Sequence, residues 1–176
     1  MDADRGGADD GQRRVAETAA AMTPLHPNQI WAMRIRAAMV AAALSAAAAA
    51  LDMGPLRDLP AAPGPGIAAG AVAAIAFIAA FLLPIRRYRA WGYREEEDEL
   101  HIASGLWIRL RTAVPFGRVQ HIDVAQGPIE RPLGLATLIL HTAGTRGSAV
   151  ALPGLPVAEA ERMRDRIRAK IRQDLV

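Results

Sequence analysis

The sequence contains no cysteine, and aromatic residues are few: three Trp, two Tyr and three Phe among 176 residues. The absence of cysteine excludes a disulfide-linked scaffold, a zinc ribbon and an enzyme with a catalytic thiol. Lysine is almost absent as well, because Lys170 is the only one and arginine supplies the other basic side chains. A chain of this length leaves no room for two large domains.

Charge is also missing from a long stretch of the N-terminal half. Hydrophobic residues make up 52% of the chain although 22% of it is charged, so the apolar residues must be concentrated. No charged residue occurs from Leu59 to Ile85. The second part of this stretch, 66–85, would span roughly 30 Å as a helix, which is the thickness of a bilayer core. It is therefore predicted to be a transmembrane helix.

An earlier apolar stretch, 37–51, is too short to span a bilayer by itself. It reaches a spanning length over 31–53 if Arg34 and Arg36 extend to the headgroups and Trp31 lies at the interface. We predict a second transmembrane helix there. The alternative for 37–51 is a buried or surface Ala-rich helix.

The flanking charges predict the orientation of these helices. Arg34 and Arg36 precede the first helix and Arg86, Arg87 and Arg89 follow the second, whereas the Pro- and Gly-rich loop between them has little net charge. By the positive-inside rule, both termini are cytoplasmic in a multi-pass protein of the bacterial inner (plasma) membrane. Residues 1–24 lack apolar periodicity and are predicted to form a disordered tail, and their carboxylates argue against a cleaved signal peptide.

From residue 88 onward the pattern is typical of strands. Leu100 and Ile102 alternate with polar or small residues, and after Ser104-Gly105 the alternation resumes. This predicts a two-residue hairpin, followed by a strand that carries Trp107, Arg109 and Arg111 on its outward face. Further strands are predicted at 118–125, 135–142 and 148–152, with a turn at 145–147. Short strands at this spacing favour an antiparallel sandwich or partly open barrel.

A single helix is predicted to close the chain. Pro156 suits its first turn, acidic residues lie near its start and basic residues near its end. An apolar stripe recurs at three- and four-residue steps, and its members are Val157, Ala160, Met163, Ile167 and Ile171. This stripe must pack on an open end or face of the sheets.

Several motifs, in their order and spacing, resemble those of the YdbS-type bacterial membrane proteins that carry a bacterial PH-like domain. The resemblance covers about residues 25–172. Its pieces are Leu25-His26-Pro27, Arg87-Tyr88-Arg89, Leu100-x-Ile102-x-x-Gly105, Val114-Pro115, Arg118-Val119-Gln120-His121-Ile122, and Arg131-Pro132-Leu133-Gly134-Leu135-Ala136 leading through Leu138 and Leu140 to Thr142-Ala143-Gly144.

The resemblance implies a membrane α-helical hairpin over 25–87 and a mainly-β PH-like domain over 88–176, an antiparallel sandwich capped by the C-terminal helix. It implies no reaction. It suggests a role in envelope-stress or antimicrobial-peptide tolerance, beside a larger homologue with several such domains.

The residues suited to chemistry do not form a recognisable catalytic or metal-binding pattern. His26, His101, His121 and His141 occur without an HExxH motif, and no serine lies in a GxSxG motif. The acidic run 95–99 is typical of a solvated loop, and contact with a cation or partner is its alternative. We therefore expect no catalytic, cofactor-binding or metal-binding residues and no cofactor.

Two surfaces are candidates for interaction. Trp107, Arg109 and Arg111 are expected to contact a protein partner or an anionic lipid. The membrane-surface anchors are expected to be Trp31, Arg34, Arg36, Arg86, Arg87 and Arg89. Nucleic acid is not an expected partner, because the net charge of +3 provides no broad basic field.

These features predict a non-enzymatic membrane protein whose domain binds a protein partner or a second copy of itself at the cytoplasmic face. The alternatives are an anionic-lipid sensor and an accessory subunit of a membrane enzyme.

Overall fold

A computed structural model describes residues 22–53, 66–143 and 149–173. The connection between the two apolar stretches, the turn predicted at 145–147 and most of the predicted tail lie outside these residues. The described elements are three α-helices and six strands. In chain order they are α1 (Asn28–Met53), α2 (Ile67–Arg89), β1 (Gly92–Glu95), β2 (Glu99–Ser104), β3 (Leu110–Pro115), β4 (Val119–Ala125), β5 (Leu135–Thr142), β6 (Ala149–Pro156) and α3 (Val157–Gln173).

The first two helices form an antiparallel pair with apolar surfaces. The start of α1 lies beside the end of α2, since the guanidinium of Arg34 is 4.5 Å from the ring centre of Phe81. At the other end the Gly66 amide donates a 2.6 Å hydrogen bond to Asp52. Large apolar side chains such as Phe77 are exposed along the pair, which water would penalise and lipid would not. The pair is a membrane hairpin, and a buried helix at 37–51 is excluded because no residue there is buried.

The six strands form two three-stranded antiparallel sheets. Sheet A has the order β1-β2-β3 and sheet B the order β4-β5-β6. The predicted alternation in β2 is confirmed, because Leu100 and Ile102 are buried between less buried neighbours. The apolar stretch 135–142 is the central strand of its sheet, as its apolar faces predict.

One hydrophobic core joins both sheets and α3. It includes Phe116 from a short 3-10 turn (Phe116–Arg118) between the sheets. The predicted stripe of α3 is confirmed: Ala160, Met163 and Ile167 are fully buried, and Val157 and Ile171 pack at its two ends. The prediction of a membrane hairpin with a helix-capped PH-like domain is therefore confirmed.

Four local predictions are wrong. The chain between β2 and β3 is a loop, 105–109, instead of a two-residue hairpin, so β3 begins only at Leu110. Strand β4 begins one residue after Arg118, and Pro156 ends β6 in register with Leu135 instead of starting the helix.

The fourth wrong prediction concerns the end of the expected disordered tail. Thr23 exchanges two backbone hydrogen bonds with Tyr93 of β1, at 2.7 and 3.0 Å. This pairing extends sheet A beyond β1 and fixes the chain just before it enters α1.

Candidate interaction surfaces

The motif Leu25-His26-Pro27 connects the start of α1 to the sheet domain. Leu25 is buried in the core, and its carbonyl accepts a 2.6 Å hydrogen bond from the Tyr88 hydroxyl at the end of α2. The His26 amide donates to the Gly154 carbonyl in β6 at 2.9 Å, while His26 Nδ1 accepts from the Asn28 amide at 3.2 Å. These contacts occupy the backbone groups at the helix start and join both membrane helices to the domain.

A second set of contacts joins α1 to the loop before β5. Asn28 Nδ2 donates to the Leu133 carbonyl at 3.0 Å. Arg36 forms an ion pair with Glu130, whose side chain is only 9% exposed. A buried carboxylate needs such a partner, so Arg36 contacts the domain. Half of the Arg36 side chain is exposed, and its contact with headgroups stays a prediction. The matching motif at 131–136 thus lies at the junction between α1 and the domain.

The other predicted anchors lie along the helix ends. Arg34 lies over the rings of both Trp31 and Phe81, at 5.2 and 4.5 Å from their centres. Trp31 itself is 56% exposed. The three arginines at the end of α2, Arg86, Arg87 and Arg89, are all exposed. Their contact with headgroups stays a prediction.

Trp107, Arg109 and Arg111 do not share one strand face, as the sequence pattern predicted. Trp107 and Arg109 belong to the loop between β2 and β3, and only Arg111 lies in β3, opposite Ala103. Gly105 has a φ of +109°, and a Cβ there would lie 1.8 Å from the Ile108 carbonyl oxygen. Because only glycine permits this close approach, Gly105 fixes the turn at the start of the loop.

This loop and the end of α2 line an open cavity of about 450 Å³. Its lining includes Arg86 and Arg89 from α2 and Arg109 and Arg111 from the sheet side, with no carboxylate among the lining residues. None of the four arginines has an ion-pair partner within the described part of the chain. The structure thus brings two predicted anchors together with two residues of the predicted partner surface.

A second open surface is the groove between β4 and α3, with a volume of about 630 Å³. Strand β4 is an edge strand of sheet B, and Gln120 has no register partner in β5. From the helix side, Arg164, Arg168 and Arg172 line the groove with Asp165. Arg164 binds Asp165 at 2.9 Å and lowers the pKa of that carboxyl.

Sequence reasoning missed this groove, which we call the β4–α3 groove. The four-residue spacing of its three arginines on a predicted helix was the available signal. The sequence predicts the helix and a strand at 118–125 separately, but it does not reveal that this strand lies opposite the three arginines.

The acidic run 95–99 is partly an inter-element contact and not only a solvated loop. Arg166 of α3 binds Glu95 of β1 at 2.8 Å and Glu159 at 3.0 Å. Hydrogen bonds from Arg162 and Arg166 lower the pKa of the Glu159 carboxyl. Burial raises the pKa of the neighbouring Tyr93 hydroxyl, and the charge of Glu159 raises it further. This cluster fixes β1 to the terminal helix.

The histidines are distributed over different parts of the domain. His121 and His141 are register partners in β4 and β5, and their Nε2 atoms lie 2.7 and 3.1 Å from the two carboxylate oxygens of Asp123. His101 lies in the other sheet, where its ring nitrogen and the oxygens of Glu96 and Glu99 fall within 4.8 Å of one another. His26 caps α1. The structure therefore does not bring the four histidines together.

Comparisons with known proteins agree with this architecture. The family described as Bacterial PH domain matches residues 35–171. The UPF0699 transmembrane protein YdbS of Bacillus subtilis (strain 168) is 40% identical over 90 residues, which are 51% of this chain and 55% of that protein. The UPF0699 transmembrane protein YdbT of the same strain is 31% identical over 100 residues, which are 56% of this chain and 20% of that protein.

The matched segments thus cover about half of one curated relative and a fifth of the other. No solved structure matches the chain.

Proposed function

The chain belongs to the bacterial PH domain family, and we propose that it is a non-enzymatic docking protein of the bacterial inner membrane. Its two helices hold the domain at the cytoplasmic face, with both termini inside the cell. The β4–α3 groove binds an acidic segment of a partner protein. The observation that carries this proposal is the juxtaposition of an edge strand with basic side chains in one open groove.

The groove offers two kinds of contact to an extended segment. The outer edge of β4 has no neighbouring strand within the described residues, so its backbone groups are available for hydrogen bonds. Arg168 and Arg172 have no ion-pair partner within the described residues, whereas Arg164 forms an ion pair with Asp165. The groove therefore keeps a positive charge, which complements carboxylates on a partner.

The junction supports a docking role because it holds the groove at a fixed place relative to the membrane. The ion pair of Arg36 with Glu130 joins α1 to the domain, and the hydrogen bond of Tyr88 with Leu25 joins the end of α2 to the segment before α1. The proposed partners are a larger homologue with several PH-like domains or a second copy of this chain. Such a complex is proposed to contribute to envelope-stress or antimicrobial-peptide tolerance.

Site-specific photocrosslinking in native membranes tests the groove. A benzophenone amino acid replaces Gln120 of β4, which has no register partner in β5 and which lines the groove. A discrete protein adduct is expected, and its mass distinguishes a second copy from a larger partner. Arg168→Glu together with Arg172→Glu should reduce the adduct by about ten-fold, because the groove then repels carboxylates.

Two controls make the result specific. The same photoprobe at Ala151, on the opposite edge strand of sheet B, should give no such adduct. The matched charge reversal Arg109→Glu with Arg111→Glu should leave the Gln120 adduct unchanged. The proposal fails if Gln120 and Ala151 give the same adducts, or if reversing the groove charges has no effect.

A further inference from the structure

We propose that the loop 105–109, together with Leu110 at the start of β3, inserts into the membrane surface beside α2, and that the adjoining arginine cavity binds the phosphate of an anionic phospholipid. The loop and this cavity form one site, which we call the leaflet site. It depends on the membrane hairpin and is independent of a partner in the β4–α3 groove.

The position of the loop relative to the membrane helices is the first argument. Leu106 lines a cavity of about 470 Å³ with Leu83, Pro84 and Arg87, the residues at which the apolar part of α2 ends. Consecutive Cα atoms are 3.8 Å apart, so Trp107 lies within a few ångströms of that level. The loop tip is therefore at the height of the lipid headgroups.

The exposure of the loop side chains is the second argument. Trp107 is 90% exposed, Ile108 81% and Leu110 59%, although each is a large apolar residue. Three such residues together form a patch that is unfavourable in water. A membrane interface accommodates it, because the indole ring of Trp has an apolar body and a polar N–H group. The close approach at Gly105 presets the turn, so little chain entropy is lost when the tip inserts.

The charge of the adjoining cavity is the third argument. Four arginines line this open cavity of about 450 Å³, and no carboxylate is among the lining residues: Arg86, Arg89, Arg109 and Arg111. Guanidinium groups bind phosphate oxygens by charge-assisted, often bidentate hydrogen bonds. The cavity lies where α2 leaves the bilayer, so the phosphate it meets there is that of a lipid headgroup.

The depth of the loop is measured on the full chain in lipid nanodiscs. Because the chain has no cysteine, Trp107→Cys introduces a single site for an environment-sensitive fluorophore. Its emission should shift to the blue and be quenched by lipids that carry a spin label near the headgroup. Glu97→Cys, in the exposed turn between β1 and β2 at the other end of sheet A, is the matched control and should show neither effect.

A second labelled position is needed in case the substitution and label at Trp107 disturb the loop itself. Ile108→Cys should behave as Trp107→Cys does, because the two side chains share the loop tip. Labels at 107 and 108 that are as accessible to water as the label at 97 would refute insertion of the loop.

Lipid preference tests the cavity. The full chain in detergent is offered equal phosphatidylglycerol and phosphatidylcholine, and the retained lipid is counted by native mass spectrometry. Each of Arg109→Glu and Arg111→Glu should lower phosphatidylglycerol retention by about five-fold, whereas Arg168→Glu with Arg172→Glu should not.

Inorganic phosphate is the competing ligand in the same assay. Phosphate should not displace the lipid, because the apolar loop adds to the affinity for the lipid and adds nothing to the affinity for phosphate. Displacement by phosphate would identify a free-anion site, and equal retention of the two lipids would refute a headgroup site. Both outcomes contradict the proposal.

Discussion

Gly154 shows how single residues hold the membrane helix against the domain. It has a φ of +74°, and Gln29 of α1 covers it so closely that a Cβ would lie 2.8 to 3.0 Å from three carbons of that side chain. Gln29 is itself almost completely buried, at 2% exposure. This residue pair therefore sets the distance between α1 and β6.

Gly154→Ala is expected to destabilise the junction. The left-handed backbone conformation costs about 1 kcal/mol or more for alanine, and the displaced Gln29 side chain adds to the loss. We expect the free energy of unfolding of the full chain in detergent to fall by about 2 kcal/mol, measured by chemical unfolding.

Gly70→Ala is the control for this substitution. It lies inside α2, its φ is ordinary, and a Cβ there would meet nothing within 4 Å. This alanine should be neutral or slightly stabilising. Equal effects of the two substitutions would contradict the account of the junction.

At the scale of elements, the contact between β1 and α3 depends on charge. Arg166→Ala removes the ion pairs with Glu95 and Glu159 and should lower the free energy of unfolding by about 0.5 to 1 kcal/mol at neutral pH. Because the folded protein lowers the pKa of Glu159, this contribution is complete above the ordinary carboxyl value. It should be lost as the pH falls through the lowered value.

The measurement is the difference in unfolding free energy between the unsubstituted chain and Arg166→Ala, followed from neutral to acidic pH. Arg168→Ala, on the exposed surface of the same helix, is the control. The unfolding free energy of this variant should differ little from that of the unsubstituted chain, and the difference should vary little with pH. A difference for Arg166→Ala that stays constant on acidification would show that the carboxylates are not its partners.

The elements that sequence could predict are those whose burial leaves a periodic trace. Strand β5 is recognisable because it is apolar on both faces, and α3 because its apolar stripe has the helical period. Strand β1 was not predicted, since Gly92–Glu95 has no apolar alternation and is held by Thr23 and β2. Register partners distant in the chain leave no local signal.

The loop 105–109 and the two candidate surfaces show the same limit. The alternation of Leu106, Ile108 and Leu110 suggested a strand from residue 106, but Ile108 and Leu110 are exposed, Leu106 is half-buried, and none of them is in the core. The arginines that meet at the leaflet site come from α2, the loop and β3, and their proximity follows from the fold. Sequence could nominate Arg86, Arg89, Arg109 and Arg111 separately, but not group them.

For the whole molecule, contacts at the start of α1 and at the end of α2 hold the domain in one orientation relative to the membrane hairpin. Tyr88 and Leu25 link α2 to the chain before α1, and Arg36 and Glu130 link α1 to the loop before β5. The leaflet site therefore faces the end of the hairpin, and the β4–α3 groove is lined by elements other than the membrane helices. The two proposals use different surfaces and can fail separately.

The orientation of the whole chain in the membrane tests the central claim most directly. Single cysteines are placed at Ala62, in the connection between the helices, and at His121, and intact cells are treated with a membrane-impermeant maleimide. We expect Ala62→Cys to be labelled in intact cells and His121→Cys only after the inner membrane is permeabilised. Labelling of His121→Cys in intact cells, with Ala62→Cys protected, would contradict a docking domain held at the cytoplasmic face.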